Sequence, residues 1–257
     1  MIDRQEIDPR RPLPGVMVTD VATEADADSA IAAGAFAISF ATSDALTNHN
    51  AAEMAGQHPM RRLSAYVAAI APRGLWRVLC TTRQAGEIAD EIHAAGATAV
   101  HLPSTAGDRD RTIVRAAHPS VKIIQALDAR NNRAIEFAQS IDRQVDAFLV
   151  DCAPRPAPTA DPSTSLGARL AEAWARAKEI SDSCASVTIL AGELSRNNLE
   201  AALLAATPAG AAISIRTTPD MPSIERIQRP STRAVGSPTR HVLVRSTAHP
   251  ARQRSNA

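Results

Sequence analysis

Aromatic residues are scarce in this chain: 257 residues include 2 Trp, 1 Tyr and 4 Phe, or 3%. Surfaces that hold single-stranded nucleic acid by stacking are built from such rings, so their scarcity argues against a nucleic-acid partner. An excess of charge of one sign is also missing. The 28 Lys and Arg and 27 Asp and Glu leave a formal net charge of +1, with no global bias towards polyanions, a membrane surface or an acidic partner. Cysteine is sparse: Cys80, Cys152 and Cys184 lie far apart and make no metal-ligand spacing. Such an odd set excludes a disulfide framework and reads as reduced thiols of a cytoplasmic protein. No apolar run approaches the roughly 18 residues of a membrane span. The start, MIDRQEIDPRRPLPG, is charged and proline-containing, unlike a signal peptide or an anchor.

What the chain does have is a repeat. Ala32–Phe40 (AAGAFAISF) and Ala94–Leu102 (AAGATAVHL) are near-copies, each a helix end, a glycine stop and an apolar strand. Glu24 and Asp26 suit the first turn of a helix beginning near Thr23. Strands are expected at Val16–Thr19, Ala35–Phe40, Trp76–Thr81, Ala99–Leu102, Lys122–Leu127, Ala147–Asp151, Val187–Leu190 and Ala211–Ile215. Helices fall between them, among them Met60–Ile70, Asn131–Ile141, Leu166–Ser181 and Asn197–Ala206, with polar loops at Thr42–Asn50 and Ala153–Ser165. Strict strand–helix alternation of this length favours a closed (β/α)8 TIM barrel over an open doubly wound sheet.

The expected organisation is a polar leader over 1–15, the barrel over 16–220, and a basic Pro-, Ser- and Arg-rich tail over 221–257. The pattern fails after Asp220, so the last helix is expected to be short or missing and the tail disordered. Arg229, Arg233, Arg240, Arg245, Arg252 and Arg254 fit a solvated tail better than a polyanion-binding one, having no aromatic interleaving.

In such a barrel chemistry sits at the C-terminal strand ends and the loops after them. Those ends offer Thr19, Asp20, Ser39, Thr81, His101, Gln125, Asp128, Asp151, Gly192, Glu193, Ser214 and Arg216. Asp128, before Ala-Arg-Asn-Asn, reads as a turn or cap residue. Asp151 ends an apolar run and precedes a proline-broken loop; at a mostly apolar rim it could serve as a general acid, with a structural role the alternative. His101 could act as base, acid or hydrogen-bond donor if it faces the lumen, and is structural if it faces the helix layer. Gly192 suits a loop whose N–H groups approach a phosphate, and Arg216 could pair with that anion or merely begin the tail. Cys152 reads as a small buried residue.

The stretches Gly34–Phe40, Ala99–Leu102, Phe148–Asp151, Ile189–Asn198 and Pro208–Ser214 together resemble phosphoribosylanthranilate isomerase of tryptophan biosynthesis, over about Gly15 to Thr218. The resemblance implies a cofactor-free barrel performing an Amadori rearrangement, aminoaldose to aminoketose, on a small phosphorylated sugar-amine. A general acid protonates the ring oxygen and a general base takes the C2′ proton. The family's acid aspartate falls on Asp151. Its first-strand Lys-Ile-Cys-Gly, whose cysteine is the base, becomes Met17-Val18-Thr19-Asp20, and a threonine hydroxyl is too weakly acidic to replace a thiolate. The substrate-binding arginine after the second strand falls on Asn48, and the fourth strand's Gln-Leu-His on His101-Leu102-Pro103.

The glycine-rich turn before the sixth helix is reduced to Ser163–Gly167, leaving Gly167. The Gly-Gly of the phosphate loop becomes Gly192-Glu193, whose carboxylate would repel a phosphate by roughly 1–4 kcal/mol at about 4 Å. The resemblance thus implies a divergent isomerase with Asp151 as acid, His101 or Asp20 standing in for the base, and Ser214 and Arg216 at the anion. The competing expectation is a barrel that has lost catalysis and persists as a phosphosugar-binding or regulatory module. Neither the true substrate nor the oligomeric state is legible in the sequence.

Overall fold

The computed structural model describes residues 15–41, 59–81, 85–153, 165–195 and 197–216. Its strands are β1 (Gly15–Thr19), β2 (Ala37–Ala41), β3 (Trp76–Cys80), β4 (Ala99–Leu102), β5 (Lys122–Asp128), β6 (Ala147–Asp151), β7 (Val187–Ala191) and β8 (Gly210–Ser214). Each pairs in parallel with its sequence neighbours, and β1 pairs with β8, Val16 opposite Ala211 and Thr19 opposite Ser214. That last pairing closes the ring, as the sequence predicts. The described helices are α1 (Glu24–Ala32), α2 (Pro59–Ile70), α3 (Ala85–Ala95), α4 (Asp108–Ala117), α5 (Ala134–Ile141), α6 (Leu166–Ser183) and α7 (Leu199–Ala206). None of them is long and apolar enough to cross a membrane. Asn48 and its loop, most of Ala153–Ser165, the leader, the last-helix region and the basic tail lie outside the described residues.

Local chemistry sets the boundaries. Thr23 caps α1 by a reciprocal pair: its Oγ1 accepts the Asp26 N–H at 3.1 Å, and the Asp26 carboxylate accepts the Thr23 N–H at 2.9 Å. The two repeated stops, Gly34 (φ +81°) and Gly96 (φ +56°), are both left-handed. β2 begins two residues later than expected, because the Ala35 N–H still bonds back to Ala30 O at 3.1 Å as part of the helix end. α5 begins at Ala134, not Asn131. Asp128 and Asn131 side chains accept the N–H groups of Arg130 and Arg133, both at 2.9 Å, and hold the intervening residues in turns. α7 is delayed likewise, the Asn198 Oδ1 taking the Ser195 N–H at 2.7 Å.

Two apolar cores result. Val18, Ile38, Leu79, Val100, Val150 and Leu190 fill the space between strands and helices. Inside the ring, register and strand tilt stack the inward residues in layers drawn from alternate strands. The lowest layer is small, Ala37, Ala99, Ala147 and Gly210, and is plugged by Phe36 edge-on to Trp76, with ring centroids 5.7 Å apart. The next is large: Met17, Val78, Ile124 and Ile189. Above it come Ser39, His101, Leu149 and Ala212, and above those Thr19, Cys80, Ala126 and Ala191. Large under small places the smaller side chains towards the C-terminal strand ends, where side chains rather than backbone line the ring.

The plug explains a glycine. A Cβ on Gly15 would lie 2.6 Å from Phe36 Cδ1, in the body of a packed ring. Gly15→Ala is expected to destabilise the fold by about 1–3 kcal/mol through overpacking, read as a lower urea midpoint at unchanged slope.

Candidate active site at the barrel mouth

Successive strand residues point to opposite faces, so parity decides which of the expected site residues reach the lumen. Thr19, Ser39, His101, Asp151 and Ser214 alternate with the outer-core residues Val18, Ile38, Val100, Val150 and Ile213, and therefore face inward. Two candidates face outward instead. Gln125 is fully buried against α4, its Oε1 accepting from Arg111 Nη1 at 2.9 Å and its Nε2 donating to Pro103 O at 2.7 Å. Thr81 donates to the Glu91 carboxylate of α3 at 3.1 Å. Both belong to the wall. Cys152 is buried in the outer layer, its thiol pushed up to about 12, chiefly by burial. It is structural, as expected.

The C-terminal strand ends gather one rim. Asp151 ends β6, beside its register partner Asp128 at the end of β5. Its Oδ1 accepts the Ala153 N–H at 2.9 Å, which fixes the carboxylate at the turn out of β6. Asp128 behaves as the turn residue expected and also holds Arg130, whose Nε and Nη2 donate to it at 2.8 and 2.5 Å. Nothing in the sequence reading singled out Arg130. It brings a guanidinium to the two aspartates, and the charge of Asp151 reaches it as well. Across the β1–β8 seam, Thr19 Oγ1 donates to Asp20 at 3.3 Å, and the Arg216 N–H donates to Ser214 Oγ at 3.3 Å.

Asp20 and Glu193 adopt left-handed backbone, φ +61° and +50°. These are two positions where the resembling motifs carry glycine, and for a residue with a Cβ that conformation costs roughly 1–2 kcal/mol. The backbone keeps its glycine shape while the side chain has become a carboxylate. Gly192 (φ +100°) has a different necessity: a Cβ there would lie 2.6 Å from Asp151 Oδ1 and collide with the Ala153 nitrogen. The β7 loop passes directly over the end of β6, and only glycine allows it. Gly167 lies exposed in the first turn of α6 with nothing within 4 Å of a built Cβ, so packing gives no reason for it.

The floor of the mouth holds a residue that the sequence reading counted only as one of three scattered thiols. Cys80 ends β3, opposite His101 of β4, and its Sγ lies 3.2 Å from His101 Nδ1. Cys80 is half-buried, and burial together with the Asp20 charge pushes its thiol up to about 11. Burial pushes the His101 imidazole down from 6.5 to about 4. At neutral pH the pair is thus a protonated thiol in contact with a neutral imidazole, whose Nε2 is buried without a hydrogen-bond partner among the described residues. The missed signal was parity: Trp76, Val78 and Cys80 share one face, so the strand ends inward on the thiol and not on Thr81.

A histidine held neutral in the fold but free to titrate when unfolded destabilises the protein on the acid side. Above pH 6.5 neither state binds the proton. Between 6.5 and about 4 the unfolded chain gains it first, so stability falls as the pH falls through that window. Moving from pH 7.5 to 4.5 is expected to cost wild type about 3 kcal/mol more than His101→Asn, compared by urea unfolding.

No protein-family model matches the chain, and no curated protein matches it by sequence. Solved structures do match. A phosphoribosylanthranilate isomerase in complex with reduced 1-(o-carboxyphenylamino)-1-deoxyribulose 5-phosphate is 19% identical, with a TM-score of 0.59, covering 84% of this chain and 96% of that one. The phosphoribosylanthranilate isomerase of Thermotoga maritima is 18% identical at a TM-score of 0.58, covering 84% and 95%. A 3-hexulose-6-phosphate synthase is 16% identical at 0.55, covering 84% and 98%. At these identities the likeness is one of fold: the chain folds as phosphoribosylanthranilate isomerases do.

Proposed function

We propose that this barrel isomerises a small phosphorylated sugar-amine from aldose to ketose without a cofactor, with Asp151 as the general acid. The observation that carries the reading is the position of Asp151. It ends β6, faces inward at the open end of a closed ring, and is fixed by the Ala153 N–H. A carboxyl group so placed is able to protonate a ring oxygen and let the C1′–O bond break. The phosphoribulose analogue bound by a protein of the same fold supports this choice of substrate class.

The other groups take their roles from where they stand around that carboxylate. His101 is neutral in the physiological range and so able to accept a proton, and Asp20 lies at the rim by β1. Thr19 occupies the position of the family's base and offers only a hydroxyl. Arg216, Ser214 and the N–H groups around Gly192 sit on neighbouring strand ends and would hold the phosphate, with Gly167 in the first turn of α6 as a further candidate; Asn48, the other candidate for the substrate, lies outside the described residues. A specific observation favours the second reading, a binding module without turnover: carboxylates occupy both left-handed glycine positions, Asp20 and Glu193, and Glu193 directly follows Gly192 in the expected phosphate loop.

Turnover separates the two. With phosphoribosyl anthranilate as substrate, wild type is expected to form the ketose, and Asp151→Asn to lower kcat by about 10²–10⁴. Arg216→Ala is expected to raise KM about tenfold or more, with a smaller change in kcat. Binding of that compound by wild type without any product, equal in Asp151→Asn, would establish the binding module instead.

A further inference from the structure

The chain that lacks a thiol on β1 has one on β3, and the two positions are related by the geometry of the ring. Thr19 and Cys80 fall in one layer of inward side chains, together with Ala126 and Ala191. Around the closed ring β1 lies three strands from β6 through β8 and β7, and β3 lies three strands from β6 through β5 and β4. A side chain at Cys80 therefore stands at the same height as one at Thr19, and at the same span across the mouth from Asp151, on the opposite flank. The two other members of the layer are alanines, the smallest side chains that carry a Cβ. Cys80 is half-buried and reachable, and its Sγ lies 3.2 Å from His101 Nδ1.

We propose that Cys80, as the thiolate, is the proton acceptor that partners Asp151, so that the sugar lies across the mouth in the sense opposite to that set by a β1 thiol. The proposal rests on the isomerase reading above and names its base. Asp151 gives its proton to the ring oxygen, which keeps the electron pair of the broken C1′–O bond. Cys80 Sγ, its own proton given up to solvent base beforehand, then takes the C2′ proton. The C–H pair becomes the C1′=C2′ bond and the C1′=N pair returns to nitrogen. On ketonisation the C2′ hydroxyl proton goes to Asp151, and C1′ receives the proton held on Cys80, which restores the carboxylic acid and the thiolate.

Charge around the thiol shapes its pH dependence. Asp20 beyond β1 opposes ionisation, Asp128 and Asp151 stand round the rim with Arg130, and His101 is neutral beneath it. Glu91, behind the strand on α3, is bonded to Thr81. A thiol raised to about 11 predicts a kcat that climbs with pH from 7 to 9.5 and has no plateau there. The test uses the full chain and phosphoribosyl anthranilate, with Cys80→Ala, Cys80→Ser and His101→Asn, and Cys152→Ala as control. Expected are a kcat lower by 100-fold or more in both Cys80 variants with KM within about threefold, loss of the alkaline climb, and an unchanged control. Iodoacetamide followed by peptide mass spectrometry is expected to label Cys80 before Cys152, and the reduced phosphoribulose-amine analogue to protect it.

A Cys80→Ala enzyme within threefold of wild type, while Asp151→Asn is inactive, overturns the proposal and leaves the isomerase reading standing. A folded wild type without turnover overturns the isomerase reading itself. An analogue that binds yet leaves Cys80 labelling unchanged also overturns the proposal, because an occupied mouth must cover the thiol.

Discussion

A parallel strand at the end of a sheet carries a row of N–H and C=O groups with no partner, and here β1 and β8 supply each other's. Closure does more than satisfy those groups. It fixes a single inside, and the two-residue period of every strand then sorts side chains into lumen and wall with no freedom left. Thr19, Cys80, His101, Asp151 and Ser214 lie far apart along the chain and reach one mouth for that reason alone. A one-residue slip in any strand would exchange its site residue for a wall residue. Val100 would then replace His101, and Val150 would replace Asp151.

The layering beneath the mouth follows from the same constraint. Small residues at the base admit the Phe36–Trp76 plug, the large layer of Met17, Val78, Ile124 and Ile189 seals it, and alanines above return the space to the mouth. His101 sits at the boundary, low enough to be stripped of water and high enough to touch Cys80. Its depressed basicity is the direct consequence of that depth. The rim above is different in character: Asp20, Asp128, Asp151, Glu193, Arg130 and Arg216 stand at the strand ends with partial or full exposure, and Arg130 pairs with Asp128.

Much of the fold was legible in the sequence because its signals are local. Gly34 and Gly96 end helices, Thr23 and Asp26 begin one, and apolar runs of strand length recur between them. The errors lie where side chains compete with backbone. Asp128, Asn131 and Asn198 capture N–H groups and delay α5 and α7, and a helix end reaches into Ala35. The site was legible in part. Asp151 could be singled out because an apolar run ends on a carboxylate. His101 could not be assigned a side from AVHLP, since strand parity is unreadable until the neighbours' register is known. Cys80 was invisible for the same reason, the expected strand having run one residue too far, to Thr81. Gly192 was readable as a special glycine, but its cause, the passage of a loop over Asp151, is a tertiary contact.

The account stands on His101 being an inward, desolvated imidazole in contact with the Cys80 thiol. The most direct measurement is a nitrogen-15 NMR titration of the His101 ring in the full chain. The account predicts a ring neutral throughout the neutral range and titrating near pH 4, with its Nδ1 resonance displaced in Cys80→Ala. A ring titrating near 6.5, or an Nδ1 resonance unmoved in Cys80→Ala, would contradict it.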